Sequence, residues 1–383
     1  MKLRVFLLAI LTACAPRVSP PPAAPTVSAP QAPDRDYLVF VASEGNDHVS
    51  LLSYGPRGIS VERDFRVGFN PSELVGPHGI AVAPSGDRYF VTTAHGSPEG
   101  SLWKYSSAGD SLLGRVQLGF FPATVQVSPN GAYVWAVNFN LHGEMVPSSV
   151  SVVYAPEMVE VARIRTCTMP HGSRLSPDGS KHYSVCMMDD ALVEIDAQKL
   201  AVARHFIVAK GMEHGMDGAP MAMAMPAGGA MTHAPSCSPT WAQPTVDGKS
   251  VFVACNKSNE LVQIDVSSWT LARRIPAGDG VYNLAVTHDG RLLVGTNKRA
   301  QSVSVFDLAT GKEFGRVATT RRLPSGVTVS SDDRYAFVTD EGVGSMPGTV
   351  DVIDLRAMAK VATIDVGQQA GGIDFWRTAP VGR

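Results

Sequence analysis

The stretch VDGKSVFVACNKSNELVQID at residues 246–265 decides the fold. It opens with an Asp-Gly pair between two apolar runs, and such a pair is a strong β-hairpin signal. One run ends near Asn256, and the next has the form Leu-Val-Gln-Ile-Asp. β-Branched and aromatic residues dominate both runs, as is typical of antiparallel strands. The stretch therefore predicts a turn followed by two paired strands.

The same unit recurs along the chain. Its turns lie at residues 84–87, 129–131, 177–179, 246–248, 288–290 and 331–333. A position eight residues before each turn glycine, or its equivalent, marks the first strand of each unit and gives positions 78, 123, 171, 240, 282 and 325. A fixed period of this length is the sequence signature of a repeat architecture. The interval from 171 to 240 is longer than the others and contains an insertion.

The two ends of the chain complete one more unit between them. Residues 372–376 form a seventh first strand with no turn after it, whereas residues 37–41, 49–52 and 59–61 form three strands that lack a first one. Seven first strands predict an all-β, seven-bladed β-propeller over residues 36–383. Its N-terminal strands and C-terminal strand share one blade, and this closure leaves only short, protected sheet edges.

These four-stranded units resemble the YVTN-repeat propellers, including the YncE-like surface and periplasmic proteins. The resemblance covers nearly all of the chain after residue 35. It implies the propeller fold and leaves the function open, because one propeller scaffold hosts many unrelated functions.

Residues 1–13 are a predicted signal peptide. Two basic residues precede an apolar run at 5–11, which is too short to span a bilayer. The run leads into Leu-Thr-Ala-Cys at 11–14, which resembles the bacterial lipobox. The resemblance implies a diacylated Cys14, and two acyl chains anchor a protein stably. An ordinary signal peptide with an incidental cysteine is the alternative.

Residues 14–35 contain the lipidated cysteine and a linker rich in Pro, Ala and Ser, which cannot bury a core. The expected location is the cell envelope, and Ala15 after the cysteine favours the outer membrane in a cell with two membranes. The formal net charge of −2 gives no reason to expect nucleic acid as a partner. The expected partners are the membrane, through the lipid, and a copper ion or an envelope protein.

The insertion at 210–236 is rich in methionine and histidine. It contains Met212, His214, Met216, Met221, Met223, Met225, Met231 and His233. Thioethers and imidazoles suit copper, above all Cu(I), and the spacing resembles the Met/His-rich segments of periplasmic copper-resistance proteins. A disordered loop in which Met is a flexible apolar filler, or a segment that docks a partner, are the alternatives.

Further soft ligands map to one face of the propeller. The loop before a first strand and the end of a second strand both lie on this face, near the central channel. The residues placed there are His78 and His171, in equivalent Pro-His-Gly loops, with His95, Met169, Met187 and Met188. We expect the insertion to enter at the same mouth and to deliver copper to His78, His171 and Met169. The alternative is that the two histidines are polar loop residues, and the remaining ones (His48, His142, His182, His205 and His288) are expected in loops or on the surface.

Four cysteines remain besides Cys14. In an oxidising compartment disulfides are the default, and repeat symmetry favours Cys167–Cys186 and Cys237–Cys255, each within one blade. Three connectivities are possible from sequence alone. The alternative is a thiolate and histidine metal site, which needs reduced cysteines.

The leading functional hypothesis is a non-enzymatic, envelope-anchored propeller that binds copper. The alternatives are a metal-free scaffold for protein or polysaccharide contacts and a lactonase-like or redox enzyme. The sequence has no nucleophile elbow, phosphate-binding glycine loop or haem-attachment motif. Acids that follow second strands could serve a lactonase, although rim solvation or turn capping also explains them: Glu44, Asp189, Asp190, Asp340 and Glu341.

Overall fold

The computed structural model describes residues 27–95, 100–220 and 234–382. The described residues form seven antiparallel sheets, of which six have four strands and one has five. The predicted all-β, seven-bladed propeller is confirmed. We number the blades from the one that contains both chain ends. Among the described residues, no helix has the length and apolar character needed to cross a bilayer.

The strands of the first three blades are given from the channel outwards. They are β29 (Ala370–Ala379), β1 (Asp36–Ser43), β2 (His48–Gly55) and β3 (Gly58–Arg66) in blade 1; β4 (Pro77–Val82), β5 (Arg88–Thr93), β6 (Ser101–Ser106) and β7 (Leu112–Gln117) in blade 2; and β8 (Pro122–Val127), β9 (Tyr133–Asn138), β10 (Pro147–Tyr154) and β11 (Val159–Thr168) in blade 3. A short 3-10 helix (Glu44–Asn46) follows β1.

The remaining blades follow the same order. Their strands are β12 (Pro170–Leu175), β13 (Lys181–Cys186), β14 (Ala191–Asp196), β15 (Ala201–Ile207) and β16 (His214–Asp217) in blade 4; β17 (Pro239–Pro244), β18 (Ser250–Cys255), β19 (Glu260–Asp265) and β20 (Thr270–Pro276) in blade 5; β21 (Val281–Val286), β22 (Leu292–Asn297), β23 (Ser302–Asp307) and β24 (Glu313–Ala318) in blade 6; and β25 (Pro324–Val329), β26 (Tyr335–Asp340), β27 (Gly348–Asp354) and β28 (Ala359–Val366) in blade 7.

Blade 1 closes the ring. The C-terminal strand β29 is its innermost strand and pairs antiparallel with β1, so that Val39 lies opposite Phe375 and Phe40 opposite Asp374. β29 also packs against the inner strands of blades 2 and 7. The two ends of the chain therefore share one sheet, as the repeat pattern predicted.

Both faces of the middle strands are buried, because each blade packs between two others. In β1, Tyr37 and Val39 pack against Tyr335 of blade 7. The alternate residues Leu38 and Phe40 pack against blade 2. Successive side chains of a strand point to opposite faces, so a strand between two blades must be apolar at nearly every position. This is why the strand sequences show only partial alternation.

The predicted turns all lie on one face, which we call the turn face. In blades 3 to 7 a hydroxyl just after the first strand donates to the Asp or Asn of the turn, as Thr245 does to Asp247 at 2.7 Å. The next residue, Gly248, has φ +68°, a left-handed conformation that glycine adopts without a steric penalty. In blade 7, Asp333 takes the equivalent position with φ +58°, in keeping with the tolerance of aspartate for this region.

The opposite face, at which the inner strands begin, is the mouth face. Pro77, the first residue of β4, lies opposite Thr93, the last residue of β5. A proline at the first position of a strand loses no ladder hydrogen bond, and four other inner strands also begin with proline. Second strands therefore end, and inner strands begin, around the mouth of the channel.

Two of the histidines expected in loops or on the surface are buried in strands. His182 lies in β13, is fully buried and stacks on Trp135 with ring centroids 4.9 Å apart. His205 lies in β15, is 3% exposed, and is covered by β16. The expectation was wrong for these two because β13 packs between blades on both sides and β16 adds a strand beside β15.

Two disulfides lie near the mouth face. Cys167 is bonded to Cys186 and Cys237 to Cys255, the pairing that repeat symmetry favours. The second bond lies within blade 5, as expected. The first does not lie within one blade, because β11 continues to Thr168 and Cys167 thus belongs to blade 3. This bond joins blade 3 to the second strand of blade 4.

Candidate functional site

Eight polar or charged side chains gather at the mouth of the channel, and we call them the mouth cluster. They come from six of the seven blades. The members are Glu44, His78, His95, His142, His171, Tyr282, Lys298 and Glu341. The sequence analysis placed three of the histidines on this face. The structure adds that these side chains contact one another.

Glu44 lies between two imidazoles. Its Oε2 is 2.5 Å from Nδ1 of His78, and its Oε1 is 2.9 Å from Nε2 of His95. Burial works to raise the pKa of Glu44, but the two histidines hold that pKa well below its usual range. The hydrogen bond to Glu44 raises the pKa of His95. The carboxylate therefore favours a positive charge on either side of it.

An aromatic ring supports these imidazoles. Phe121 packs edge-on against His78, His95 and His142, with ring centroids 5.4 to 5.6 Å apart. His142 stacks on His95 at 6.0 Å. Phe121 is itself buried, so it excludes water from one side of the three rings while their other sides remain accessible.

His171 is the innermost histidine of the cluster and is 3% exposed. Its ring is 6.5 Å from that of His78. Nδ1 lies 2.9 Å from the carbonyl oxygen of Thr240 and must therefore donate, which leaves Nε2 to accept from the hydroxyl of Tyr282 at 3.0 Å. Burial lowers the pKa of His171 to about 3. His171 is thus neutral, with both nitrogens engaged, and could bind a metal only by giving up the Tyr282 hydrogen bond.

Lys298 and Glu341 form the far side of the cluster. Their Nζ and Oε1 atoms are 2.6 Å apart, and Nζ lies 3.8 Å above the ring of Tyr282. Burial works to lower the pKa of Lys298, but the neighbouring Tyr282 and Glu341 raise it. The lysine therefore stays charged beside the buried Tyr282–His171 pair.

Three thioethers adjoin the histidines. Met169, Met187 and Met188 pack together with Phe121 and Phe139, and Met169 is 9% exposed. Phe139 in turn contacts His171, with ring centroids 4.7 Å apart. These three methionines, which the repeat register predicted on this face, therefore lie beside the mouth cluster.

The insertion begins on the mouth face, because β15 ends there with Ile207 opposite Ala191, but its described residues lie at the outer edge of blade 4 and not at the channel. Its described residues Met212, His214 and Met216 lie in or just before β16, which is the outermost strand of blade 4 and runs away from the mouth face. Four strand spacings of about 4.8 Å each place β16 roughly 19 Å from the inner strand β12. For these three residues the expected place at the channel was wrong, because the insertion first adds a strand to its blade. Met221, Met223, Met225, Met231 and His233 lie outside the described residues.

Three of the five candidate acids serve the backbone. Asp190 accepts from the amides of residues 236–238, and Asp189 accepts from the amide of Thr168 at 2.7 Å. Asp340 is fully buried and accepts from the amide of Arg321 at 3.1 Å, and also from the hydroxyl of Thr349 at 2.8 Å. Capping, the alternative given above, describes these three. Glu44 and Glu341 are the two that face the mouth.

The four described cysteines are all paired in disulfides. Among the described residues, Cys167, Cys186 and Asp189 form a compact group of ligand-type atoms. The two sulfurs are bonded to each other, and a metal needs the thiolate form. The thiolate alternative therefore does not describe this structure.

A cavity of about 850 Å³ opens beside the mouth cluster, between blades 2 and 3. His95 and His142 form part of its wall, together with Phe120, Arg163 and Arg165. Residues 96–99, which connect two parts of this wall, lie outside the described residues. The cavity has the size of a small-molecule site.

For four members of the mouth cluster, either the residue or its role was not predicted from the sequence. Tyr282 occupies the same register position as His78 and His171, so the repeat alignment already carried its signal. Lys298 directly follows a second strand. The roles of Glu44 and His142 depend on how their loops fold over the mouth, for which the sequence holds no periodic signal.

No protein-family model matches the chain, and no curated protein sequence matches it. Similar folds occur among solved structures. The periplasmic gluconolactonase PpgL of Pseudomonas aeruginosa is 17% identical with a TM-score of 0.66, covering 89% of this chain and 99% of that one. Hydrazine synthase of Kuenenia stuttgartiensis is 18% identical with a TM-score of 0.61, covering 80% and 92%. A protein of unknown function from Desulfotomaculum acetoxidans is 12% identical with a TM-score of 0.65, covering 88% and 98%. At these identities the likeness concerns the fold alone.

The buried carboxyl of Asp340 makes stability depend on pH. Burial, with Asp351 nearby, raises the pKa of Asp340 to about 7. A raised acid pKa stabilises the protonated form, so this contribution is complete below about pH 4 and is lost as the pH rises to about 7. We expect Asp340→Asn to gain about 1 kcal/mol or more in free energy of unfolding, relative to wild type, between pH 5 and pH 8. Urea denaturation at both pH values measures this gain, with the exposed Asp365→Asn as control, and an equal difference at both pH values would contradict it.

Proposed function

We propose that the protein is an envelope-anchored propeller that binds a copper ion at the mouth of its channel. The observation that carries the proposal is Glu44 held between the imidazoles of His78 and His95, at 2.5 and 2.9 Å. In a site that favours positive charge, a divalent cation competes with the histidine protons. Imidazole and carboxylate ligands suit Cu(II), which binds most tightly among the divalent first-row metals.

The surroundings of Glu44 support a redox-active or soft ion in particular. His142 lies beside His95, and the thioethers of Met169, Met187 and Met188 adjoin the same aromatic patch. Thioethers select Cu(I) over harder cations. His78 and His95 have side chains 22% and 36% exposed, so an ion from solution can reach them. In this proposal the buried His171 does not bind the ion, because both of its ring nitrogens are engaged in hydrogen bonds.

The insertion would act as a separate capture segment. Met212 and Met216 are 57% and 43% exposed on the outer edge of blade 4. These two exposed thioethers are too far from the channel to share an ion with the mouth, so the insertion would hold its own Cu(I), chiefly through the ligands Met221, Met223, Met225, Met231 and His233. Delivery to the mouth would then require transfer rather than a shared site.

Copper binding at the mouth predicts a specific loss in one variant. Glu44→Gln keeps the side-chain shape but removes the charge, and we expect it to weaken copper binding at least about tenfold. Titration of the full-length protein in detergent, against a competing chelator, measures the affinity for Cu(II) and, under anaerobic conditions, for Cu(I). His288→Gln, on the turn face, is the matched control and should bind as wild type does.

A deletion separates the mouth from the insertion. Removing residues 219–233 keeps β16 and should lower the number of Cu(I) ions bound while leaving the ion at the mouth in place. If instead this deletion abolished all binding and Glu44→Gln changed nothing, the mouth would not be the site. If the wild-type protein binds no copper, the proposed copper site does not exist.

Hydrolysis of a lactone is a second candidate for the same site. The similarly folded PpgL is described as a gluconolactonase, and here a histidine with a raised pKa lines a cavity of about 850 Å³. His95, oriented by Glu44, would take a proton from the water that attacks the lactone carbonyl. General base catalysis of this kind contributes about 10²-fold or more.

Turnover of glucono-δ-lactone tests this candidate. We expect wild type to hydrolyse it in the presence of EDTA and His95→Gln to lose about 10²-fold in kcat/KM, while His288→Gln is unaffected. Acid release followed in a pH-stat measures the rate. A rate no higher than that of the uncatalysed reaction excludes this activity. Hydrolysis that occurs only when copper is present would instead assign the activity to the metal site.

Anchoring through Cys14 completes the proposal. The signal segment and Cys14 lie outside the described residues, and the sequence at 11–14 supports the anchor. We expect Cys14→Ser to shift the protein from the membrane fraction to the soluble fraction, because a single cysteine carries the acyl chains. Fractionation with labelled palmitate measures this, and an unlabelled wild type would identify the segment as an ordinary signal peptide.

A further inference from the structure

We propose that the cavity between blades 2 and 3 binds an organic carboxylate with one negative charge and an apolar body. Its volume of about 850 Å³ lies within the range of small-molecule sites. The cavity is distinct from the contacts of Glu44 with the two imidazoles, and it shares only the outer face of His95 with them. Binding of a carboxylate in this cavity therefore does not depend on a metal at the mouth.

The walls of the cavity are largely apolar. Phe120 and Val146 are 53% and 47% exposed and both line it, with Phe121 behind them. Large apolar side chains exposed inside a concave site are typical of ligand recognition. Because these side chains come from two different loops of blade 3, they can contact two sides of one apolar ligand.

One cation in the wall has no partner among the residues that the structure describes. Arg165 is exposed, and no hydrogen bond or ion pair joins it to another described residue. Arg163, two residues earlier on the same strand, is paired with Glu160 at 2.8 Å. A guanidinium presents a planar fork of donors that matches a carboxylate. Arg165 is therefore the group that would orient an anionic ligand.

Two further polar groups restrict the ligand. Glu144 also lines the cavity and would repel a second negative charge, which favours a monoanion. Asn140 is 8% exposed and lines the cavity, and its Oδ1 has no hydrogen-bond donor among the described residues. A hydroxyl or amide on the ligand would supply that donor, and a buried acceptor without one is costly.

The test uses 3-phenylpropionate and its neutral amide as matched probes. The full-length protein in detergent, stripped of metal with EDTA, is titrated calorimetrically with each. We expect a dissociation constant on the order of 0.1 to 1 mM for the carboxylate and at least about tenfold weaker binding of the amide, because the guanidinium contact is lost. Working without metal keeps this result separate from that of the copper titration.

Two variants and a control locate the site. Arg165→Leu should weaken binding of the carboxylate at least about tenfold and leave the amide unchanged, whereas Phe120→Ser should weaken both probes. Arg356→Leu, an exposed arginine on the turn face, should bind both as wild type does. Equal affinity for the two probes, no effect of Arg165→Leu, or no saturable binding of the carboxylate would each overturn the proposal. Unchanged thermal unfolding of the variants shows that any loss is local.

Discussion

The pairing of β1 with β29 is the contact on which the rest of the structure depends. It joins residues 36–43 to residues 370–379 and completes the seventh sheet. Without it, β1 would present an unpaired edge, and the inner strand of blade 1 would be missing between blades 2 and 7. Blades 2 and 7 would then lose the packing of blade 1 against them, since apolar clusters join blade 1 to each of these neighbours. A propeller avoids exposed sheet edges only when the ring closes.

Closure also explains why a site can form at the mouth. Equivalent positions of successive blades point into the same small region, so His78, His171 and Tyr282 meet although about 200 residues separate the first from the last. The ring fixes these side chains through short bonds between blades. Thr92 donates to the carbonyl of Ala123 at 2.8 Å, and Thr339 donates to that of Gly371 at 3.1 Å. The inner strands are therefore rigid relative to one another, and a site built on rigid elements holds its geometry better than one built on loops alone.

The periodic part of the structure could be predicted from the sequence, and the non-periodic part could not. The turns, the shared blade and the convergence of His78 with His171 all follow from one repeated register. The contacts of Glu44 and His142 do not, because their loops have no repeat: the loop of Glu44 bonds to residues 368 and 369, whereas His142 packs against Phe121. His182 was misplaced for a related reason: its strand is buried on both sides, so a polar residue there has no solvent face to occupy. The insertion was misplaced because a register cannot reveal that four residues, His214–Asp217, add a fifth strand.

Stability alone does not account for the arrangement around Glu44. The side chain of Glu44 is only 16% exposed, and the desolvation of a buried carboxylate offsets much of what its ion pairs contribute. Elsewhere on the mouth face, acids such as Asp190 hold backbone amides and so fix loops. Neither carboxylate oxygen of Glu44 does so among its described hydrogen bonds, because each instead contacts an imidazole. Titratable groups that perturb one another in an accessible cleft are typical of functional sites. The mouth cluster is therefore the part of the structure on which the proposed function rests.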